Sequence, residues 1–277
     1  MRTENRGGTM TYKLIAADMD GTLLNDDEKM TQRTKTAIVR AVEAGCLFVT
    51  ATGRAISGAD MVNGLFDQDM PFIVFNGASV VMGKSGKVLF NKYLGAALAR
   101  EVLDMGKRRG TPMIVWTDAG LRKVHTDNPV KEYLGYDRKY NAIGHITIGG
   151  IDEIIEEKVY KVIWFSSRER IRGYQSEMNG YFGGRVNCYS SLPEYLEFVN
   201  PQADKGAAME EIGRIYGIDR SEMIAVGDGY NDISMLKYAG LGVAMENAPD
   251  DVKAASDRVT LSNNDDGLAA VIERYML

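Results

Sequence analysis

Apolar runs that stop abruptly at polar, glycine-containing loops recur along the first part of this chain. Leu14-Ile15-Ala16-Ala17 passes without interruption into Asp18-Met19-Asp20-Gly21-Thr22-Leu23, the pattern of a buried strand ending at a loop. Met30–Ala44 then sets Ala37, Ile38, Ala41 and Val42 at helical spacing among charges, with Gly45 as a natural stop. Cys46–Ala51 predicts a second strand, closed by Thr52-Gly53-Arg54. Ile56–Phe66 predicts a short helix, and Phe72–Phe75 a third strand closed by Asn76-Gly77. Strand, helix, strand in this order favours a parallel sheet with right-handed crossovers. Ligands of open α/β sheets bind outside the carboxyl ends of strands, so the three polar endings point to one shared site.

The rhythm changes near Val80. Val80–Met82, Gly83-Lys84-Ser85-Gly86 and Lys87–Phe90 read as a hairpin, a connection that parallel βα units do not use. Helical patterns at Ala96–Lys107 and Ile171–Tyr181 then alternate with strand candidates at Met113–Trp116, Leu121–His125, Val159–Phe165, Val186–Tyr189 and Tyr195–Val199. The expectation is an α+β insertion over 84–192, dividing a core of 10–83 and 193–277, with 1–9 a disordered lead-in. After Pro201 the alternating pattern returns: an amphipathic Lys205–Tyr216, a strand at Met223–Val226 and Gly227-Asp228-Gly229-Tyr230-Asn231-Asp232. A helix at Ile233–Ala239, a strand at Gly240–Ala244, a short helix at Asp250–Ala255 and a last helix over Asp265–Leu277 follow.

The 277 residues, 45% hydrophobic and 26% charged, are enough for one large domain or a core with an insertion. A net charge of −5 offers no general attraction to nucleic acid or anionic membrane. No run of about 18 apolar residues and no basic-then-apolar leader occurs, so the expectation is a cytoplasmic protein with no membrane span. Cys46 and Cys188 lack metal spacing, and Thr52 and Glu194 stand where a cysteine phosphatase would need arginine. They read as reduced, buried thiols. His125 and His145 have no acidic or cysteine neighbours that would make a metal site or a triad.

Strand alternation puts Asp18 and Asp20 on one side, where their repulsion needs a cation or a shared proton, although Asp and Gly also make ordinary turns. Gly227–Asp232 begins like a dinucleotide fingerprint, but Asp232 replaces the third glycine with a carboxylate and opposes pyrophosphate. Asp228, Asn231 and Asp232 instead form an oxygen-rich cluster suited to a hard cation such as Mg²⁺. Gly77–Ser85 misses a Walker loop because Ala78 stands where the first glycine belongs. Lys205, at a helix start, is either a solvated lysine or a cation placed to hold phosphate.

Asp18 and Asp20 in D-x-D-G-T, Thr52 before Gly53-Arg54, Lys205 before Gly206 and Gly227-Asp228-x-x-Asn231-Asp232 occur in that order, each at a strand end or helix start. This set resembles the haloacid dehalogenase superfamily, and more narrowly its Cof-type, subclass IIB phosphatases. Asn76-Gly77-Ala78, Gly242–Met245, Asn247-Ala248 and Val259-Thr260 extend the likeness across the core. The resemblance implies an α/β fold, a Rossmann-like parallel-sheet core domain with an inserted α+β cap domain. It implies a Mg²⁺-dependent phosphatase of small phosphorylated metabolites, sugar phosphates foremost, working through an aspartyl-phosphate. Asp18 would be the nucleophile and Asp20 the general acid and base, with Thr52 and Lys205 completing the catalytic set. Thr52, Gly53, Asn76, Lys205 and Asn231 would hold the phosphoryl group, and Asp18, Asp20, Asp228 and Asp232 the metal. Arg122, Lys123, His125, Lys161 and Arg185 of the insertion are candidates to reach a substrate, each also readable as a solvated side chain. A phosphomutase or phosphotransferase, or a non-enzymatic phosphometabolite-binding regulator, are the rival readings. The expected partner is a small metabolite, with no nucleic acid or membrane, on a monomer or weak homo-oligomer.

Overall fold

The computed structural model describes residues 12–55, 60–124, 147–190 and 192–277. Two compact units are present, one made of residues up to Asn91 together with Asp204–Leu277, the other of Lys92–Ala203. The first holds β1 (Leu14–Asp18), α1 (Gln32–Glu43), β2 (Leu47–Ala51), α2 (Asp60–Asn63), β3 (Pro71–Val74), β4 (Ser79–Met82) and β5 (Val88–Asn91). The second holds α3 (Ala96–Arg108), β6 (Met113–Thr117), β7 (Gly120–Val124), β8 (Thr147–Gly149), α4 (Ile151–Ile154), β9 (Val159–Phe165), α5 (Arg168–Phe182), β10 (Asn187–Tyr189) and β11 (Tyr195–Val199). The chain then returns to the first unit with α6 (Lys205–Tyr216), β12 (Met223–Gly227), α7 (Ile233–Tyr238), β13 (Leu241–Ala244), α8 (Asp250–Ala254), β14 (Arg258–Val259) and α9 (Gly267–Tyr275).

In the first unit, eight strands run in the order β14-β13-β12-β1-β2-β3-β4-β5, parallel from β14 to β3. β1 lies between β12 and β2 and is buried along its whole length. Side chains alternate across the sheet, so Leu14, Ala16, Val49 and Ala51 meet Ala208, Met209 and Ile212 of α6 and Met235 and Leu236 of α7. α1 packs on α9. Helix starts are fixed by side-chain caps: Thr31 Oγ1 accepts from the Thr34 N–H, and Asp204 Oδ1 from the Ala207 N–H.

The second unit is a six-stranded sheet, β10-β11-β9-β6-β7-β8, antiparallel except where β7 meets β8. Met113, Val115, Val162, Trp164, Leu196 and Phe198 form its helix-covered side against α3 and α5. Full burial of a side chain of that size contributes about 1.5–3 kcal/mol.

The borders expected at 84 and 192 move. The predicted hairpin exists as β4 and β5, but its antiparallel strands extend the edge of the first sheet, so the division falls after Asn91. β11 pairs with β9, which carries the second unit to Ala203. Of the helix expected at Ile56–Phe66, α2 covers Asp60–Asn63 and residues 56–59 lie outside the described residues; the last helix is confined to α9. The lead-in 1–9, His125 and His145 lie outside the described residues. Lys161 is not solvated: it is 5% exposed and pairs with Glu197 at 3.0 Å, on the side of the sheet away from the helices. Arg122 is held by Glu157 at 2.6 Å and Arg185 by Glu101 at 3.3 Å. Among the described residues, no helix is long and apolar enough to cross a membrane.

Candidate active site

Four strand ends and one helix start of the first unit converge on Asp18. As the last residue of β1 it is buried, and its Oδ1 accepts a hydrogen bond from Lys205 Nζ at 2.5 Å. Lys205 opens α6, has no exposed surface, and also donates to Asp232 Oδ1 at 2.6 Å. Asp232 is equally enclosed. Its Oδ2 accepts from the backbone N–H groups of Asp228 and Gly229, at 3.0 and 2.8 Å, which closes the loop after β12 upon itself. Asp228 accepts from Thr22 Oγ1 at 3.0 Å, tying that loop to the one after β1.

The turn after β1 depends on Gly21. Its φ is +79°, and a Cβ there would stand 2.4 Å from Asp228 Oδ2, so only glycine lets the two loops approach. Asn247 strengthens the junction, donating to the Gly21 carbonyl at 2.9 Å while its own Oδ1 accepts from the Asn263 N–H. Nothing in the sequence around Asn247 signals this contact, whose partner Gly21 lies 226 positions away.

Alternation placed Asp18 and Asp20 together, but the structure gives each its own cation. Asp20, with its side chain 53% exposed, receives the Arg54 guanidinium on both oxygens, Nε reaching Oδ2 at 2.9 Å and Nη2 reaching Oδ1. Arg54 was not among the expected site residues. Thr52, buried at the end of β2, accepts the Arg54 N–H on Oγ1 at 3.0 Å. Its own carbonyl accepts from the Asn76 N–H at 3.0 Å. Asn76 Oδ1 accepts from Asn231 Nδ2 at 2.9 Å, and Gly53 lies against the Asn76 amide. All the expected core positions, Asp18, Asp20, Thr52, Gly53, Asn76, Lys205, Asp228, Asn231 and Asp232, therefore belong to one connected set of strand ends. The loop that carries Asn76 is unusual: Phe75, Asn76 and Gly77 have φ of +52°, +56° and +96° in succession.

Charge is unbalanced at the centre. Asp18, Asp228 and Asp232 each offer a carboxylate oxygen, all within 4.8 Å of one another, and among the described residues Lys205 is the one cation hydrogen-bonded to the group, through Asp18 and Asp232. Burial, reinforced by Asp232, raises the Asp18 carboxyl well above its usual range, and the same causes bring Asp228 to about 6. Burial opposes the Lys205 charge, yet Asp18 and Asp232 hold the ammonium above its ordinary range. Such a group fits a divalent cation: hard oxygen donors, and negative charge in excess of the protein's own cation.

The family model described as haloacid dehalogenase-like hydrolase matches residues 15–272. The chain belongs to the haloacid dehalogenase-like hydrolases. Its relatives include the 5-amino-6-(5-phospho-D-ribitylamino)uracil phosphatase YwtE of Bacillus subtilis, 30% identical, the match covering 95% of this chain and 98% of that one. Among solved structures, a Thermotoga maritima protein is 30% identical, with a TM-score of 0.82 over 95% of this chain and 97% of its own. A subclass IIB sugar phosphatase of the superfamily is 25% identical, with a TM-score of 0.79 over 96% of this chain and 100% of its own. The haloacid dehalogenase-like chain described here is thus an enzyme of the Cof type, a phosphoric monoester hydrolase with the parallel core sheet and added antiparallel sheet of that group.

Proposed function

We propose that this hydrolase removes phosphate from small phosphorylated metabolites, sugar phosphates being the leading class, with Mg²⁺ as cofactor. The observation that carries the reading is the buried Asp18 carboxylate held by Lys205 beside two further carboxylates. Asp18, Asp228 and the Asp20 backbone carbonyl would hold the ion, with Asp232 fixing the loop that supplies Asp228. When bound, the cation supplies charge neutralisation that lets a carboxylate approach a phosphate.

The chain's own groups do the rest. An Asp18 oxygen forms a bond to phosphorus as the bond to the leaving oxygen breaks, giving an aspartyl-phosphate. Asp20 gives its proton to that leaving oxygen, then takes one from the water that hydrolyses the acyl phosphate and restores the Asp18 carboxylate. Thr52 Oγ1 accepts from Arg54, so its O–H is available to a phosphoryl oxygen, and Lys205 keeps Asp18 oriented. Gly53, Asn76 and Asn231 would shape the phosphate pocket, and the Lys92–Ala203 unit would act as the cap that selects the organic part.

Phosphate release from p-nitrophenyl phosphate and a sugar-phosphate panel, with Mg²⁺ or EDTA, tests the reading. Turnover in Mg²⁺ is expected to vanish in EDTA and in Asp18→Asn. An Asp18→Asn protein as active as wild type would sink it.

A further inference from the structure

Arg54 has a fixed base and a loosely held tip. Its N–H donates to Thr52 Oγ1 at 3.0 Å, and its carbonyl accepts from the Phe75 N–H at 3.1 Å, inside the loop of positive φ. The guanidinium spans from there to the Asp20 carboxylate. That ion pair touches solvent on both sides, the side chains being 25% and 53% exposed. Water competes with such a pair, so it yields easily to a better anion.

The charges around the site make that exchange useful. Ionised Asp18, Asp20, Asp228 and Asp232 carry four negative charges, against one each on Lys205 and Arg54, and a divalent cation would bring the set to neutrality. A phosphoryl dianion then adds two more negative charges. Lys205 is enclosed and committed to Asp18 and Asp232. Arg54 is the cation beside Thr52 that still reaches solvent, and its planar fork matches two phosphoryl oxygens as well as it matches a carboxylate.

Resting on the phosphatase reading above, we propose that Arg54 is a phosphate-binding residue that exchanges partners: it is parked on Asp20 in the free enzyme and transfers to two phosphoryl oxygens when substrate enters. No covalent bond changes in this step; the guanidinium trades one anion for another. Asp20 loses its ion pair only when a phosphoryl group has arrived, and the freed carboxylate then takes from solvent the proton it gives to the leaving oxygen, so docking the phosphate and releasing the acid-base group are one event.

Inorganic phosphate in saturating Mg²⁺, measured by calorimetry, is the probe, and it needs no turnover. R54M is expected to weaken phosphate binding by about tenfold or more, with R54K between the two because it keeps the charge and loses the fork. D20N frees the guanidinium and is expected to bind phosphate more tightly than wild type. That gain must disappear in D20N/R54M, since relief of carboxylate repulsion alone would survive there. With p-nitrophenyl phosphate, R54M should raise KM as well as lower kcat. Should R54M fail to fold, R54Q takes its place. Phosphate affinity unchanged in R54M, or a D20N gain that persists in the double variant, overturns the exchange while leaving the phosphatase reading intact. A wild type that neither binds phosphate nor releases it from p-nitrophenyl phosphate removes that reading, and this one with it.

Discussion

Lys205 carries its ammonium with no exposed surface between Asp18 and Asp232. Removing one partner of a buried ionic set leaves the others uncompensated, at a cost of about 3–5 kcal/mol. Lys205→Met is expected to lose stability of that order in urea with EDTA, and to recover part of it in saturating Mg²⁺, where the cation restores the charge balance. The two cysteines make the opposite case, groups kept neutral. Burial pushes the thiols of Cys46 and Cys188 up to about 12, so the folded state favours the protonated form. Their contribution to stability is full below an ordinary thiol range near 9 and is lost as pH rises toward 12. Ellman's reagent at neutral pH should label neither until urea unfolds the chain, and the urea midpoint should fall from about pH 9 upward. Asp18, Asp20, Asp228 and Asp232 were legible because their spacing is local. The Arg54 contact was not, because its partner Asp20 lies 34 positions away, and Asn247 closes on Gly21 across 226.

Gly77 shows how an element is placed by a single backbone position. Its φ is +96°, and a Cβ would stand 2.1 Å from the carbonyl of Asp204, the residue that caps α6. Gly77→Ala must either distort the loop after β3 or push away the start of α6, and with it Lys205. The expected result is a loss of at least about 1–3 kcal/mol, with kcat reduced in the fraction that folds, read by urea denaturation and p-nitrophenyl phosphate turnover. Continuous apolar runs made β1, β2, β3, β9 and β12 readable, since a strand buried on both faces needs no alternation. β8, α4 and β14 are too short to leave a period in the sequence. The hairpin is antiparallel as expected, but the border expected at 84 falls between its strands, leaving Val80–Met82 in the core and Lys87–Phe90 in the insertion: nothing local distinguishes an insertion's first strand from an extension of the sheet already begun.

At the scale of the whole chain, both tryptophans, Trp116 and Trp164, lie in the six-stranded unit, and the carboxylate cluster lies in the other. Tryptophan fluorescence therefore reports one unit and far-UV circular dichroism both. A ligand stabilises the unit that binds it. Adding Mg²⁺ in place of EDTA is expected to raise the dichroism midpoint in thermal or urea unfolding more than the fluorescence midpoint; equal shifts would show that the two units unfold as one.

The central place of β1 also has a consequence for how the molecule is made. Its partner on one side, β2, follows within a few tens of residues, but Leu14 pairs on the other side with Met223, about 200 residues later. At a ribosomal rate of about 5–20 residues per second, that flank of the nascent sheet waits for about 10–40 s, with unpaired backbone groups available to any strand that meets them. During that wait Asp18 has neither Lys205 nor Asp232 beside it, so the buried ionic cluster comes into being only after Asp232 has been made.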